Sequence, residues 1–332
     1  MPPDIYYIIL DMYGRADTLR NLYGYDNTAF LNELEKMGFY VANCSQSNYL
    51  QTEHSLASSL NFNYLDALGF SYKPDRTDRS PLWPLIKDSA IRRIMEGLGY
   101  KIVAFATGYS WTEWDDADIY LKPPLTGVNV TEFEQMLIET SAVRILQDAA
   151  ILSRGDMGPD PYRERTSYVL KELKQLPKLH SPKFIFVHLI LPHPPFVFGP
   201  NGEAIEPIYF QPSDSFDIFI KGYRDQLIFT DREVLQVVSR IISDSPVPPI
   251  IIIQGDHGPG LSADLPRSSI LNAYYLPGAD YNVLYPYISP VNTFRVVLND
   301  YFGGNLELLN DVSLASNYAT PYQFTILEDS CP

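Results

Sequence analysis

Two segments of the 332-residue chain place polar, metal-binding side chains within three residues of the end of an apolar run. Asp256 and His257 follow four consecutive isoleucines, and Asp11 follows the apolar residues 5–10. A carboxylate and an imidazole at the end of a buried strand form half of a typical transition-metal site. Taken alone, the Asp256-His257 pair is equally compatible with a polar turn after a core strand.

Thr52 is a candidate nucleophile because of its position. The small residues 55–59 suit a closely packed helix, and Thr52 stands where that helix is predicted to begin. Its hydroxyl would lie among unpaired backbone N–H groups at the positive end of the helix dipole. A hydroxyl bound to a divalent ion loses its proton more readily and can attack an electrophile. A threonine with no catalytic role is also common at the start of a helix, where it caps the backbone.

Two histidines and one arginine complete the candidate site. His193 follows the predicted strand 184–190, between prolines that restrict its backbone, and is placed for acid–base work or anion binding. His188 lies within that strand, where it could bind substrate or be a hydrogen-bonded core histidine. Arg15, four residues after Asp11, could contact a substrate anion or form a surface ion pair.

The donor types indicate which ion would bind. Oxygen ligands with one imidazole suit Zn²⁺ or Mn²⁺ better than Ca²⁺, which prefers oxygen ligands alone. We therefore predict one divalent metal ion, with Zn²⁺ or Mn²⁺ expected before Mg²⁺ or Ca²⁺. The predicted ligands are Asp11, Thr52, Asp256 and His257.

Apolar strands alternate with amphipathic helices along the chain, which predicts one α/β domain over residues 1–332. The core is expected at about 5–303, followed by an irregular tail at 304–332. Because ligand sites of open α/β sheets lie at the carboxyl ends of strands, the polar residues should meet there. Residues 108–131 form a long irregular stretch that could cover a substrate cleft or pack on the surface. Helices are predicted at 85–98 and 132–152, among others.

Composition restricts the partners. The formal charge of −15 disfavours nucleic acid, which is bound through basic patches. Cys44 and Cys331 are interpreted as one buried thiol and one tail thiol rather than as a disulfide framework. No apolar run approaches the ~20 residues of a membrane span. Either the protein is cytoplasmic, or an upstream anchor or export segment is missing from this chain.

Together these motifs resemble the alkaline phosphatase superfamily, in its sulfatase and phosphotransferase branch, nearly from end to end. The matching segments are Ile8-Ile9-Leu10-Asp11, Thr52-Glu53-His54-Ser55-Leu56, His193-Pro194-Pro195-Phe196, Asp256-His257-Gly258 and Ser289-Pro290-Val291-Asn292-Thr293-Phe294-Arg295. The resemblance implies a three-layer α/β/α sandwich around a central, mostly parallel sheet. It implies metal ligands at Asp11, Asp256 and His257, a nucleophile at Thr52, and a histidine beside the transferred group at His193.

The departures from the family pattern narrow the activity. The Cys-x-Pro-Ser-Arg signature of sulfatases is missing, so their formylglycine cannot form. A Thr nucleophile is similar to that of lipoteichoic acid synthases, phosphoethanolamine transferases and nucleotide pyrophosphatase/phosphodiesterases. The last group binds two zinc ions through extra histidines, and this chain has only five histidines, none beyond His257. The first two groups are usually extracytoplasmic domains on membrane helices, so the resemblance implies a membrane tether missing from this chain.

The resemblance implies a metal-dependent hydrolase or transferase acting on a small-molecule or lipid-headgroup phosphate ester. Thr52 would form a covalent phospho-threonine, while His193 binds the phosphoryl oxygens or protonates the leaving oxygen. One alternative is a homologue that has lost its catalytic activity and binds a lipid or a protein partner. It is favoured by the lost signature and by the lack of an obvious basic group after Asp256 and His257. A sulfuric ester hydrolase with an unusual nucleophile is another.

Overall fold

A seven-stranded sheet runs through the centre of the computed structural model, with helices on both faces. The structure describes residues 2–69, 76–124, 159–180, 182–209, 216–260, 267–328 and 331. The strands are β1 (Ile5–Leu10), β2 (Tyr40–Val41), β3 (Lys101–Phe105), β4 (Ile119–Leu121), β5 (Lys183–Leu189), β6 (Phe196–Phe198), β7 (Ala204–Ile208), β8 (Ile250–Gly255), β9 (Asn272–Tyr275), β10 (Ser313–Ala315) and β11 (Thr325–Leu327). The α-helices are α1 (Ala16–Tyr23), α2 (Thr28–Lys36), α3 (Thr52–Ser59), α4 (Trp83–Lys87), α5 (Ala90–Gly97), α6 (Pro159–Leu173), α7 (Phe216–Asp244) and α8 (Pro290–Phe302).

The central sheet is mostly parallel. Its strand order is β2-β9-β8-β1-β5-β3-β4, and the pairs from β8 to β4 are all parallel. β9 is antiparallel to both of its neighbours, β8 and β2. Because β1, β5 and β8 lie side by side in the same direction, their carboxyl ends reach the same edge of the sheet.

Each face of the sheet carries its own apolar core, as the alternation along β1 shows. Tyr6, Ile8 and Leu10 belong to one core, which also contains side chains of α1, α2, α6 and α7. The intervening residues of β1 belong to the other, with side chains of α3, α4, α5 and α8. A strand buried on both faces must be apolar at every position, which explains the unbroken runs in the sequence. The predicted three-layer α/β/α sandwich is confirmed.

One predicted helix is two in the structure. The segment 85–98 contains the end of α4 and the whole of α5, because Asp88 leaves the helical region with φ −113° and ψ 56°. The amphipathic pattern continues across this break because both helices bury their apolar residues in the same core. The predicted helix 132–152 lies outside the described residues.

The C-terminal segment is more regular than predicted. β10 and β11 form an antiparallel pair, so the expectation of an irregular tail is wrong in this part. The backbone N–H of Leu314 donates to the carbonyl of Asn48 over 2.9 Å, and Ser313 Oγ donates to the carbonyl of Ser47 over 2.7 Å. The segment therefore lies along the residues that lead into α3.

Cys44 and Cys331 form a disulfide, and their Cα atoms are 5.5 Å apart, which is ordinary geometry for such a bond. The interpretation of two separate thiols is therefore wrong. Their separation of 287 positions concealed the pairing. The fold returns the end of the chain to the segment that follows β2, and this proximity exists only in three dimensions.

Candidate active site

Three polar residues meet at the carboxyl ends of β1, β5 and β8. Asp11, His188 and Asp256 each offer a possible ligand atom, and these atoms all lie within 4.8 Å of one another. The Nε2 atom of His188 is 3.2 Å from Oδ2 of Asp11. The strand register explains the meeting, because Ile9 pairs with His188 on one side and with Gln254 on the other. All three side chains are buried.

His257 lies at the edge of this group. Its Nε2 atom is 3.8 Å from Oδ1 of Asp11 and 3.6 Å from Oδ2 of Asp256. The other ring nitrogen, Nδ1, is 2.9 Å from the carbonyl oxygen of Gly258. Since a carbonyl only accepts hydrogen bonds, Nδ1 carries the proton and Nε2 presents its lone pair. This is the tautomer that a metal ligand requires.

Several buried atoms of the cluster lack a hydrogen-bond partner among the described residues. They are Oδ1 of Asp11, Oδ2 of Asp256 and both ring nitrogens of His188. Leaving such polar groups unpaired in a protein interior is costly and uncommon. Unpaired carboxylate oxygens that face one another beside an imidazole lone pair fit a divalent cation, so the residues present suit the predicted ion.

The electrostatics of the two carboxylates agree with a site for a cation. Burial raises the pKa of Asp256 to about 6, and the charge of Asp11 acts in the same direction. Burial also acts to raise the pKa of Asp11, but His193, His188 and His257 outweigh it and hold this pKa below its ordinary value. Burial, with the nearby charge of Arg267, lowers the pKa of His257 to about 3. His257 is therefore neutral near pH 7.

Thr52 is the first residue of α3 and is partly buried. Its hydroxyl lies beside the Asp256 carboxylate, where it acts to lower the carboxyl pKa. Gln51, which precedes it, makes no side-chain capping hydrogen bond to the helix. The first N–H groups of α3 are thus not covered by this residue, and they favour an anion at this end of the helix.

Two serine hydroxyls connect the start of α3 to the backbone at the end of β8. The hydroxyls of Ser47 and Ser55 both donate to the carbonyl oxygen of Asp256, over 2.5 and 2.7 Å. Ser55 lies in the first turn of α3, three residues after Thr52. These hydrogen bonds keep the Thr52 hydroxyl next to the Asp256 side chain.

The loop after β1 holds the other side of Asp256. The backbone N–H of Met12 donates to Oδ1 of Asp256 over 3.0 Å, and the Tyr223 hydroxyl of α7 donates to the Met12 carbonyl over 2.8 Å. Met12 has a positive φ of 72°, which is uncommon for a residue with a side chain. Strained residues of this kind are typical of functional sites, and here the strain aims a peptide N–H at a candidate ligand.

His193 is held by its backbone. Its carbonyl accepts from Gln226 Nε2 over 3.0 Å and from the Tyr162 hydroxyl over 3.3 Å. Its ring atom Nδ1 lies 2.5 Å from the carbonyl of Pro194, so Nδ1 carries a proton. The charge of His193 acts to lower the pKa of Asp11, and the role of His193 as an acid or anion-binding group stays a prediction.

Arg15 has other partners in the structure. Its guanidinium donates to both carboxylate oxygens of Asp17, over 2.7 and 3.0 Å, and to the carbonyl of Ser45 over 3.3 Å. Arg15 is buried, so this is not the surface ion pair considered for it. Its role toward substrate stays a prediction.

In the described part of the stretch 108–131, one tryptophan packs on the core and another approaches His188. Trp114 is fully buried and stacks on Phe186 of β5 with ring centroids 4.4 Å apart. The Trp111 ring lies 6.0 Å from the His188 ring. Beside His188 there is also a small cleft, lined among others by Thr107, Tyr162 and Arg165. The stretch thus packs on the core and also reaches the candidate site.

The sequence analysis missed Arg267, and its expectation of no basic group after Asp256 and His257 is wrong. The Nη2 atom of Arg267 is 3.2 Å from Nε2 of His257 and 3.2 Å from the hydroxyl of Tyr318. Nothing in the spacing marked this arginine, which follows His257 by ten positions. Only the return of the chain toward β9 brings it to the site.

The comparisons with known proteins place these observations in a wider group. The family model described as Sulfatase matches residues 3–294. No curated protein sequence matches the chain. Among the described residues, no helix combines the length and the apolar character needed to cross a membrane.

Several solved structures share the fold. The C-terminal periplasmic domain of EptC from Escherichia coli, solved in complex with Zn, is 14% identical, with a TM-score of 0.63 over 98% of this chain and 92% of that one. The soluble domain of lipooligosaccharide phosphoethanolamine transferase A from Neisseria meningitidis is 13% identical, with a TM-score of 0.56 over 90% and 87%. BT1596, a 2-O GAG sulfatase, is 9% identical, with a TM-score of 0.57 over 92% and 72%.

Proposed function

Because the chain belongs to the sulfatase family, within the alkaline phosphatase superfamily, we propose that it is a metal-dependent hydrolase or transferase of phosphate esters. In this proposal Thr52 is the nucleophile and forms a covalent phospho-threonine. The observation that carries it is the position of Thr52 at the open start of α3, a helix whose Ser55 hydroxyl donates to the backbone carbonyl of Asp256.

The donor set supports one divalent ion. Asp11, Asp256 and His257 supply two carboxylates and a neutral imidazole, and Thr52 supplies the hydroxyl of the predicted set. His188 is added to this group by its 3.2 Å contact with Asp11. We expect Zn²⁺ or Mn²⁺ before Mg²⁺ or Ca²⁺ because imidazole is a poor ligand for the last two. The Zn complex of the E. coli domain favours zinc.

A bound ion of this kind would neutralise phosphoryl charge and lower the pKa of the Thr52 hydroxyl. The remaining steps belong to the chain itself. The N–H groups at the start of α3 and the partly buried His193 bind the phosphoryl oxygens. The Thr52 hydroxyl first loses its proton to solvent. The resulting alkoxide attacks phosphorus in line and forms the new P–O bond as the ester bond to the alcohol breaks. His193 gives a proton to the departing oxygen.

The second half of the reaction releases the phosphoryl group from Thr52. Water or a second alcohol attacks phosphorus, the bond to Thr52 Oγ breaks, and His193 takes the proton from the attacking oxygen. Positioning and charge neutralisation supply most of the acceleration in such transfers. The choice between water and an alcohol decides between hydrolase and transferase.

We propose a lipid-headgroup or small-molecule phosphate ester as substrate, and no nucleic acid. The acidic charge of −15 opposes nucleic acid binding. The N. meningitidis protein is a lipooligosaccharide phosphoethanolamine transferase, which favours the lipid headgroup. The disulfide between Cys44 and Cys331 favours an extracytoplasmic domain, since such bonds persist mainly in oxidising compartments. A membrane tether outside this chain fits the same location.

The test is turnover of aryl phosphate monoesters and diesters, with the matching aryl sulfate as comparison. The purified protein is first loaded with Zn²⁺ or Mn²⁺, and its metal content is measured. We expect near-stoichiometric metal, hydrolysis of a phosphate ester, and a peptide carrying phosphorylated Thr52 after rapid quenching. Turnover of the sulfate alone would favour the sulfuric ester hydrolase. A protein that takes up no metal and turns over neither ester would be the binding homologue instead.

A further inference from the structure

Arg267 occupies the nitrogen of His257 that a metal ion would need. Nδ1 of His257 is engaged with the Gly258 carbonyl, so only Nε2 has a lone pair. Nη2 of Arg267 donates to this Nε2 over 3.2 Å. A single lone pair cannot accept that hydrogen bond and ligate an ion at the same time.

We infer that Arg267 exchanges partners when the ion binds: its Nη2 leaves His257 and donates to a phosphoryl oxygen of the substrate. Arg267 is thereby assigned as a substrate-binding residue that becomes available only in the metal-loaded site. The inference rests on the proposed function, and its ligand is an anionic phosphoryl group.

Two further hydrogen bonds hold the guanidinium group of Arg267 in place. Nε donates to the carbonyl of Leu50 over 2.5 Å, and Nη1 donates to the carbonyl of Gly260 over 2.9 Å. Leu50 stands two residues before Thr52, so the guanidinium is anchored to the segment that carries the nucleophile.

The donor freed from His257 needs a new acceptor. Arginine keeps its proton in proteins, and a donor left without a partner in a partly buried site costs free energy. Tyr318, whose hydroxyl accepts from the same Nη2, satisfies only one of the two hydrogens on that atom. A phosphoryl oxygen beside Thr52 supplies both the missing acceptor and the opposite charge.

A second arginine nearby does not compete for this role. Arg79 also lies against the Tyr318 ring, with its guanidinium carbon 5.0 Å from the ring centroid. Its charge is balanced by Glu53, at 2.8 Å from Nη1. Among the described residues, no carboxylate forms an ion pair with Arg267, so its charge remains available to a substrate anion in a protein of net charge −15.

The exchange has a thermodynamic consequence. Without phosphate, the ion has to displace a hydrogen bond and bind near a positive charge, so Arg267 weakens metal binding. With phosphate present, Arg267 contributes to binding the anion. Metal and phosphate should therefore strengthen each other's binding, and part of this coupling should depend on Arg267.

The experiment is calorimetric titration of the full chain with Mn²⁺, without and with saturating inorganic phosphate. The variants are Arg267→Gln, Arg267→Lys, and Arg93→Gln as a control that removes an exposed arginine paired with Asp88 on the surface. For Arg267→Gln we expect several-fold tighter Mn²⁺ binding without phosphate and at least a five-fold smaller increase on adding phosphate. Arg267→Lys should keep part of the coupling because it keeps the charge.

Weaker Mn²⁺ binding by Arg267→Gln without phosphate would show that Arg267 supports the structure of the metal site. This result would overturn the inference. An unchanged phosphate effect in Arg267→Gln would overturn it as well. Thermal melting of each apo variant shows whether it is folded, and Arg267→Lys replaces Arg267→Gln if the latter is not. Coupling that depends on Arg267 in a protein without phosphoesterase turnover would keep this inference and remove the proposed function.

Discussion

The hydroxyl of Ser55 donates a hydrogen bond of 2.7 Å to the backbone carbonyl of Asp256, 201 positions away in the chain. This contact joins the helix that begins with the candidate nucleophile to the strand end that carries a candidate ligand. The hydroxyl of Ser47 reaches the same carbonyl. The relation between Thr52 and Asp256 therefore depends on two serine hydroxyls and one backbone carbonyl, and not on either functional side chain.

Replacing Ser55 by Ala should lower kcat/KM by about 10- to 100-fold, because a shift of about 1 Å in a reacting group has effects of this size. Ser58→Ala is the matched control, since Ser58 lies on the same helix and donates to the carbonyl of Asn63 instead. Both variants should lose about 1 kcal/mol of unfolding free energy. An equal fall in kcat/KM in the two variants would show that the loss of activity follows from lower stability of α3 and not from a shift of Thr52.

Thr52→Ala and Asp256→Asn should each reduce turnover of an aryl phosphate by about 10⁴-fold or more, as expected for members of one catalytic unit. The far-UV spectrum and melting temperature should stay close to those of the native protein. Thr28→Ala, at the start of the surface helix α2, controls for loss of a threonine hydroxyl at a helix terminus. Retained turnover in Thr52→Ala would remove the covalent intermediate.

His188 should behave as a ligand or ligand support rather than as a core histidine. His188→Gln is expected to weaken Zn²⁺ or Mn²⁺ binding by about 10- to 100-fold, the range typical of groups that support a metal site. His180→Gln, at an exposed position, should leave the affinity unchanged. Equilibrium dialysis against a competing chelator measures both. A loss of stability without a loss of metal affinity would show that His188 is a core histidine and not part of the metal site.

Metal affinity should rise with pH and level off above about 6. The metal-free site binds a proton on Asp256, whose pKa burial raises to about 6, and that proton has to leave before the carboxylate can bind an ion. Below this pH the affinity should fall about tenfold per pH unit, because one proton competes with the metal. His257, with its pKa lowered to about 3, adds no second step in this range. Titrations between pH 5 and 8 test this, and a flat profile would contradict it.

Reducing the Cys44–Cys331 disulfide should destabilise the protein. A cross-link across 287 positions restricts the unfolded chain strongly, and the chain-entropy relation gives about 6 kcal/mol as the upper limit of the effect. The double variant Cys44→Ser/Cys331→Ser should melt at the temperature of the reduced native protein. A reductant should not change the melting temperature of that variant. Identical melting of oxidised and reduced native protein would show that the bond is not formed or contributes nothing.

The strands and the polar residues at their ends could be predicted because the signals are local. Runs of four to six apolar residues, rich in isoleucine, are typical of strands that are buried on both faces. Asp11 follows such a run directly and Asp256 follows one after Gln254 and Gly255, and the start of α3 at Thr52 is marked by the small residues that follow it. Each of these features depends on a few neighbouring positions, so the sequence alone was enough.

The partners of these residues could not be predicted because they depend on which distant strands become neighbours. His188 has the same local pattern as a core histidine, and only the pairing of β5 with β1 brings it to Asp11. Arg267 and the Cys44–Cys331 bond likewise depend on where the chain returns after long excursions. Strand order and chain return are set by the packing of the whole sheet, which no local pattern encodes. The sequence by itself therefore determined the candidate nucleophile and its acidic neighbours, and only the tertiary structure decided which histidine and which arginine join them.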